Sequence, residues 1–204
     1  MFTALRVCVP AVVLSLGYMN SRGMFILTVM LALTFSAGHA WSSTFRPVSL
    51  SKLVKQSTTV VVATPVSFSS HWTTTGSTSR VVTDVTLEVA WTLRGNDTTG
   101  KDIVVRTLGG TVGGVAHLVH GEALLRVGQT CLLFLVPSRD GELHVLGMAQ
   151  GHYPLDPDNN GDWRVQPSPG LEGVLKPQLS AAQTLSGRRL SEVPRLLDEQ
   201  ETSP

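Results

Sequence analysis

The segment Arg106 to Glu122, RTLGGTVGGVAHLVHGE, combines two double glycines with two histidines and is the most enzyme-like stretch of the chain. Backbone amides of a glycine-rich loop bind phosphate when a strand precedes the loop and a helix follows it. Here Gly121 interrupts the residues that follow, and the spacing matches neither the P-loop nor the dinucleotide fingerprint. We therefore expect the glycines to supply the backbone conformations of bends between strands.

His117 and His120 can share a metal ion only if both imidazoles face the same way. A three-residue spacing achieves this on a helix, whereas on a strand it sends the two side chains to opposite faces. The surrounding residues favour a strand or a loop, and no glutamate follows at the spacing of the helical zinc-protease motif. A metal-dependent hydrolase that uses these two histidines is nevertheless one alternative prediction of function.

A second candidate metal site lies in DPDNNGDW, residues 156–163. Asp156, Asp158 and Asn160 supply oxygen atoms at the spacing of a calcium loop, but Pro167 stands where that loop requires a bidentate carboxylate. The same Asx and Gly residues are typical of a hairpin turn. We expect the turn, and a calcium-stabilised structural module is the other alternative prediction.

Nucleophilic catalysis finds little support in the chain. No serine lies in a Gly-x-Ser-x-Gly elbow, and Cys131 lies inside the apolar run TCLLFLV, which is typical of a buried and unreactive thiol. Of the tryptophans, Trp72 and Trp163 are candidates for a stacking surface, whereas Trp91 is expected in the core. The sequence therefore predicts no catalytic residue and no cofactor.

Short strands are expected to position these residues. In RVVTDVTLEVAW, residues 80–91, apolar and polar residues alternate, which predicts a strand with one buried face. Residues 58–72 predict an earlier strand, with a bulge or an edge at Pro65. The side chains expected together on one face are Val85, Leu87, Val89 and Trp91 in the later strand, and Val60, Val62, Thr64, Val66 and Phe68 in the earlier one.

The rest of the chain predicts more strands and two short helices. Turn signals at Asp140-Gly141 and Asn160-Gly161 separate short apolar runs, and Ser49 is placed to cap a helix. Many short strands at close spacing predict an all-β fold, a small OB-like closed or partly open β-barrel with one or two short peripheral helices. The further strands are predicted at residues 102–108, 130–136, 143–148, 151–155 and 162–165, and the helices at residues 49–57 and 191–201.

The N-terminal region has the pattern of a secretory signal peptide. Arg22 precedes the apolar run Met24 to Ser36, and small residues lead to a cleavage position after Ala40. The expected domains are a signal peptide at 1–40, a β-barrel domain at 41–165 and a Pro/Ser/Gly-rich tail with a short helix at 166–204. Met19 or Met24 is an alternative start, and an uncleaved segment would be the chain's contact with the membrane. The predicted location is periplasmic or extracellular.

The charge balance restricts the class of partner. The chain has 16 Lys and Arg and 15 Asp and Glu, and only Arg6 and Arg22 lie within the first 40 residues. Charges of both signs are interspersed along the predicted mature part, which argues against nucleic acid as a partner. Cys131 is the single cysteine of that part, so no disulfide within the chain is expected.

Most of residues 50–155 resembles a group of uncharacterised exported bacterial proteins with a β-domain. The resemblance lies in LSKLVKQSTTVVVATPVSF, VVTDVTLEVAWTLRG, the double-glycine segment, the GQTCLLFL strand at 128–135 and HVLGMAQGHYPL. More distantly, the helix followed by this order of strands resembles the netrin-like OB-fold of tissue inhibitors of metalloproteinases. Those inhibitors chelate zinc through an N-terminal cysteine, which is missing near the predicted mature end Trp41.

The sequence thus predicts an exported, non-catalytic β-barrel domain that binds another protein or an envelope component. Binding residues are expected on loops of a rigid scaffold, here residues 73–79, 109–121 and 156–162. The candidates on or beside these loops are Trp72, Gly109, Gly110, Gly113, Gly114 and Trp163.

Overall fold

The computed structural model describes residues 46–158, 161–173 and 180–202, and this part of the chain is mostly β. The predicted signal peptide with the candidate starts Met19 and Met24, and also Asn160, lie outside the described residues. The strands are β1 Thr59–Thr75, β2 Thr78–Arg94, β3 Asp102–Leu108, β4 Gly110–Val112, β5 Val115–His117, β6 Cys131–Pro137, β7 Leu143–Val145, β8 His152–Pro157 and β9 Trp163–Val165. The α-helices are α1 Leu50–Gln56, α2 Ala181–Leu185 and α3 Val193–Thr202.

Five strands of the large sheet hydrogen-bond in a ring, in the order β1, β2, β3, β7, β6 and back to β1. Neighbours in the ring are antiparallel except β3 and β7, which pair in parallel at Val105 and Leu143. β8 and β9 continue the sheet from β6, and β4 and β5 form a separate hairpin. The ring leaves few free edges, because most of its strands are paired on both sides.

The interior of the ring is filled by aliphatic side chains that alternate along the strands. They come from every ring strand and are almost fully buried; examples are Val61, Leu87, Val105, Leu133 and Val145. Each fully buried aliphatic side chain of this kind contributes about 2 kcal/mol to the free energy of unfolding. The interior therefore fixes which face of each strand points inward.

A helical layer covers the outer face of β1, β6 and β8. Helix α1 begins after Ser49, whose hydroxyl accepts a hydrogen bond from the Lys52 amide at 3.3 Å, and it buries Leu50, Leu53 and Val54. Helices α2 and α3 bury further residues in the same cluster, so the described part of the predicted tail packs on the sheet. β6, predicted as a strand at residues 130–136, is buried on both faces, since its residues alternate between the two clusters.

Three register shifts interrupt the pairing of β1 with β2, and two of them decide the positions of Phe68 and Trp91. Pro65 pairs with Leu87 and Ser67 with Thr86, so Val66 is an extra residue, and Phe68 lies opposite to the face predicted for it. Val62 pairs with Trp91 and Ala63 with Val89, so Ala90 is unpaired and the alternation reverses. The prediction that Trp91 is a core residue is wrong, because this bulge leaves it 47% exposed.

The predicted loop 73–79 is also wrong. β1 continues to Thr75 and β2 begins at Thr78, so only Gly76 and Ser77 form the turn, with Gly76 at a φ of 62°. The two strands are 17 residues long each and extend past their partners as a two-stranded arm. Within the described ranges, no helix has the length and hydropathy to cross a membrane.

Candidate functional site

The first double glycine lets the chain lie directly against the β1–β2 arm as it leaves β3. The Gly109 amide donates to the Val81 carbonyl at 2.9 Å, and the Thr83 hydroxyl donates to the Gly109 carbonyl at 2.7 Å. Gly110 has a φ of 134°, and a Cβ atom there would overlap the hydroxyl of Thr83 and lie 2.5 Å from that of Ser70. This close approach and the positive φ both require glycine.

The second double glycine makes the tight turn of the β4–β5 hairpin. Gly113 and Gly114 have φ values of 59° and 80°, the two positive angles that a type I′ turn needs. A strand follows them rather than the helix that a phosphate loop requires. The predicted explanation by backbone geometry is confirmed, although the segment is a short hairpin rather than an irregular connection.

The two histidines of the segment have separate surroundings. His117 ends β5, and its ring lies edge-on to Trp72 with 5.0 Å between the ring centroids. His120 follows in an exposed turn. Among the described residues, no group of three His, Cys, Asp or Glu side chains lies close enough together to hold a metal ion. The two residues therefore have no third ligand in this part of the chain.

The described residues of the candidate calcium loop, 156–158 and 161–163, hydrogen-bond to one another between β8 and β9. The Asp158 amide donates to the Asp162 carbonyl at 2.7 Å, and the Asp158 carboxylate accepts from the Asp162 amide at 3.0 Å. Arg164 approaches the same carboxylate at 3.6 Å. Asp156 is exposed, and Asn160 lies outside the described residues. The Asp158 side chain is thus engaged by neighbouring groups of the same connection.

A groove opens at the end of the ring where the arm, the β4–β5 hairpin and residues 118–125 meet. Its volume is about 280 Å³. The side chain of Phe68 lines it, because the bulge at Val66 turns Phe68 to the same face as Val85 in the ring interior. We call this cavity the mouth groove. It contains three of the predicted candidates, Gly109, Gly110 and His117, among its lining residues, and Trp72 touches His117 at its border.

The floor of the mouth groove is polar and fully hydrogen-bonded. Thr83 shares a hydrogen bond of 2.8 Å with Ser70, and Thr107 donates to the Thr83 carbonyl at 3.3 Å. One carboxylate oxygen of Glu122 accepts from the Leu108 amide at 3.0 Å, and the other accepts from the Ala123 amide at 2.9 Å. Glu122 is only 8% exposed, so its charge is held by the backbone rather than offered to a ligand.

The walls of the mouth groove expose large apolar side chains. Phe68 is 43% exposed, Leu124 42% and Leu118 74%, and Trp72 at the border is 53% exposed. Single exposed apolar residues are ordinary on protein surfaces, but a cluster around a concavity is typical of a binding site. Leu118 lies in the predicted binding loop 109–121, whereas Phe68 and Leu124 were not predicted as site residues, since the bulge and the path of residues 118–125 are tertiary features.

Trp163 lies at a different place from Trp72. It is half-buried against the helical layer and borders a shallow cavity of about 430 Å³ with Arg126, Gln129 and Thr130. The two tryptophans that the sequence proposes as a common stacking surface therefore belong to separate cavities.

A row of charged side chains, which no sequence pattern predicts, crosses the outer face of the sheet. Asp84 pairs in register with Arg106, which donates to both of its carboxylate oxygens at 2.6 and 3.0 Å and also contacts Glu142. His71 lies 3.9 Å from Asp84, and His144 is in register with Arg106. The hydrogen bond from Arg106 holds the pKa of Asp84 below its usual value. This saturated network stabilises the strand register.

The remaining reactive groups are buried. Burial raises the pKa of the Cys131 thiol to about 12, so the group stays protonated and unreactive. Burial lowers the pKa of His152 to about 4, and its Nδ1 lies 3.0 Å from the Ser168 hydroxyl. Neither group lines the mouth groove. Within the described chain they cannot serve there as nucleophile or base.

Comparison of the sequence with known proteins assigns no family to the chain. No protein-family model matches the chain, and no curated protein sequence matches it.

Proposed function

We propose that the chain is an exported, non-catalytic domain with an OB-like barrel that binds another protein or an envelope component through the mouth groove. The barrel interpretation is supported by the ring of five strands, which joins an antiparallel meander to a later hairpin through one parallel pair. OB-folds are five-stranded, partly open barrels that bind ligands on their strand faces and loops. Export is supported by the signal-peptide pattern at residues 24–40 alone.

The observation that carries the binding proposal is the apolar wall of the mouth groove. Phe68 and Leu118 remain exposed, although the ring interior lies close to Phe68. Apolar surface in contact with water is unfavourable, and a partner that covers these two side chains would remove that surface from water. Ligand sites are commonly found in the mouths of β-barrels, with apolar walls and a few fixed polar groups. The hydroxyls of Thr83 and Thr107 and the carboxylate of Glu122 are fixed polar groups of the mouth groove, and their hydrogen bonds to other protein groups hold them in place.

The size of the mouth groove favours a protein side chain over a cofactor. A volume of about 280 Å³ is at the lower limit of small-molecule pockets, which start at roughly 300 Å³. Glu122 is the formally charged residue among those that line it, and both of its oxygens are engaged. We therefore expect an uncharged, apolar anchor residue from the partner rather than a phosphate, a nucleotide or a nucleic acid.

The geometry favours neither alternative function. His117 and His120 have no further ligand in the described part of the chain, and Asp158 is engaged by the Asp162 amide. The mouth groove brings together no nucleophile and base among its described lining residues. These observations support a binding role at the same place where the sequence suggested catalysis.

Affinity capture with matched variants tests this function. The mature protein is used as bait against an envelope extract, together with a Phe68→Ser/Leu118→Ser double variant. Val104→Ser is the control, because Val104 is 53% exposed but lies on the outer face of β3, in register with Thr86. We expect one set of partners with wild type and control, and its loss with the groove variant. Equal recovery by all three baits would refute the proposal.

A further inference from the structure

The outer part of β1 has an open edge beside the mouth groove. β1 pairs with β2 along its whole length, but it pairs with β6 only over Thr59–Ala63. The last backbone bond on that side runs from the Gly128 amide to the Pro65 carbonyl, at 2.9 Å. Within the described ranges, no backbone group of residues 67–74 has a partner on the edge away from β2. This edge is about 26 Å long at the usual rise of a strand.

The residues of the open edge lack the charges and prolines by which proteins protect exposed strands, and the β4–β5 hairpin packs on the groove side of the arm, at Ser70 and Trp72. The sequence of the open edge, SFSSHWTT, contains no proline and no Lys, Arg, Asp or Glu, and it is rich in residues that favour strands. Natural edge strands are usually blocked by charged residues, prolines, bulges or a covering segment. The bulge at Val66 and Pro65 lie before the open edge rather than in it.

The side chains of the open edge alternate between the mouth groove and the outer face. Phe68 pairs with Val85 and Ser70 with Thr83, and paired residues share a face, so Phe68, Ser70 and Trp72 point to the groove side. A strand added at this edge would place every second side chain on the same side. Backbone bonds and groove contacts would then form together.

From this juxtaposition we infer that the partner binds as an extended peptide strand, added to the edge of residues 67–74, with alternate apolar side chains in the mouth groove. The inference rests on the proposed binding function of that groove. Strand addition of this kind gives affinity through main-chain hydrogen bonds and specificity through pockets for alternate side chains. The peptide is uncharged, because the edge offers no opposite charge and His71 is its only titratable residue.

The dimensions of the edge favour a peptide over a second copy of this chain. If two copies of the chain paired only through the eight residues 67–74, the interface would bury less than the roughly 1,200 Å² that stable interfaces between folded subunits bury. In a two-fold antiparallel pairing centred on this edge, His71 would also lie near its own copy. A linear peptide needs neither the additional contact area nor a symmetric sequence.

The test uses the intact mature protein and a phage-displayed library of nine-residue peptides whose alternate positions are apolar. The selected peptide is then synthesised in two forms, N-methylated at either the odd or the even backbone amides. Methylation of the amides that face β1 should weaken binding at least about thirtyfold, because two or three hydrogen bonds are lost. Methylation of the other set should change the dissociation constant by less than about threefold.

Three results would overturn the inference. An empty selection, or equal binding by both methylated forms, shows that the edge does not accept a strand. A wild-type dimer that the peptide dissociates identifies a second copy as the occupant of the edge. In any of these cases the affinity capture is read separately. If the Phe68→Ser/Leu118→Ser variant loses the partners that wild type and Val104→Ser recover, the binding function stands and only binding by strand addition is wrong.

Discussion

His152 makes the stability of the fold depend on pH in a way that can be calculated. The side chain is 1% exposed, lies beside Ser168, and its pKa is lowered by burial to about 4. In the unfolded chain the same group has a pKa of about 6.5. Between these two values the unfolded state binds the additional proton, so the free energy of unfolding falls as pH falls and is restored as pH rises through about 6.5.

The expected loss is about 2 kcal/mol between pH 7 and pH 5, which follows from the two pKa values. Urea denaturation at intervals of half a pH unit measures it. His152→Asn is the comparison, since it retains a polar group near Ser168 and does not titrate. The variant is expected to be less stable than wild type at pH 7. Between pH 7 and pH 5, however, its free energy of unfolding should fall by about 2 kcal/mol less than that of wild type.

The interval above pH 5 avoids the titration of Asp84. Asp84 has a pKa held below 3.8 by Arg106, so the stability that it contributes is present above this value and is lost only at lower pH. If wild type and His152→Asn show the same slope between pH 7 and pH 5, the buried neutral imidazole is not as the structure describes it.

Three further predictions concern the scaffold. Gly110→Ala should lower the free energy of unfolding by about 3 kcal/mol or more, and Gly113→Ala by about 1 kcal/mol. Both glycines have a positive φ, but only at Gly110 would the added methyl group overlap neighbouring hydroxyls. Equal losses for the two variants in urea denaturation would contradict this. Cys131 should react with a thiol reagent at pH 8 only after denaturation, and rapid labelling of the native protein would show that it is accessible. Arg106→Lys should cost about 2 kcal/mol, since a lysine cannot donate to both oxygens of Asp84; an unchanged denaturation midpoint would contradict this.

The strands were predictable from sequence because their period of two is strong. The apolar run at residues 130–136 predicts a buried strand, and the residues of β6 alternate between two cores. Bulges are not visible in this pattern, since one extra residue reverses every later side chain. For this reason Phe68 and Trp91 were assigned to the wrong faces.

The candidate site was predictable in part. The glycines of residues 109–114 marked the segment beside the groove, since only backbone geometry explains two double glycines without a following helix. The β4–β5 hairpin was missed because its strands have three residues each and show no period. The pairing of Asp84 with Arg106 depends on the register between β2 and β3, which no local pattern determines.

Photo-crosslinking in the cells that make the protein tests the central claim, binding through the mouth groove, most directly. The photoreactive residue p-benzoylphenylalanine replaces Leu118, which is 74% exposed at the groove, or Val104 on the outer face of β3. The structure predicts that irradiation joins the Leu118 form to one protein species, which peptide mapping places at an uncharged, apolar segment, and that the Val104 form gives no such product. Identical products from both positions, or none from Leu118, would contradict the claim.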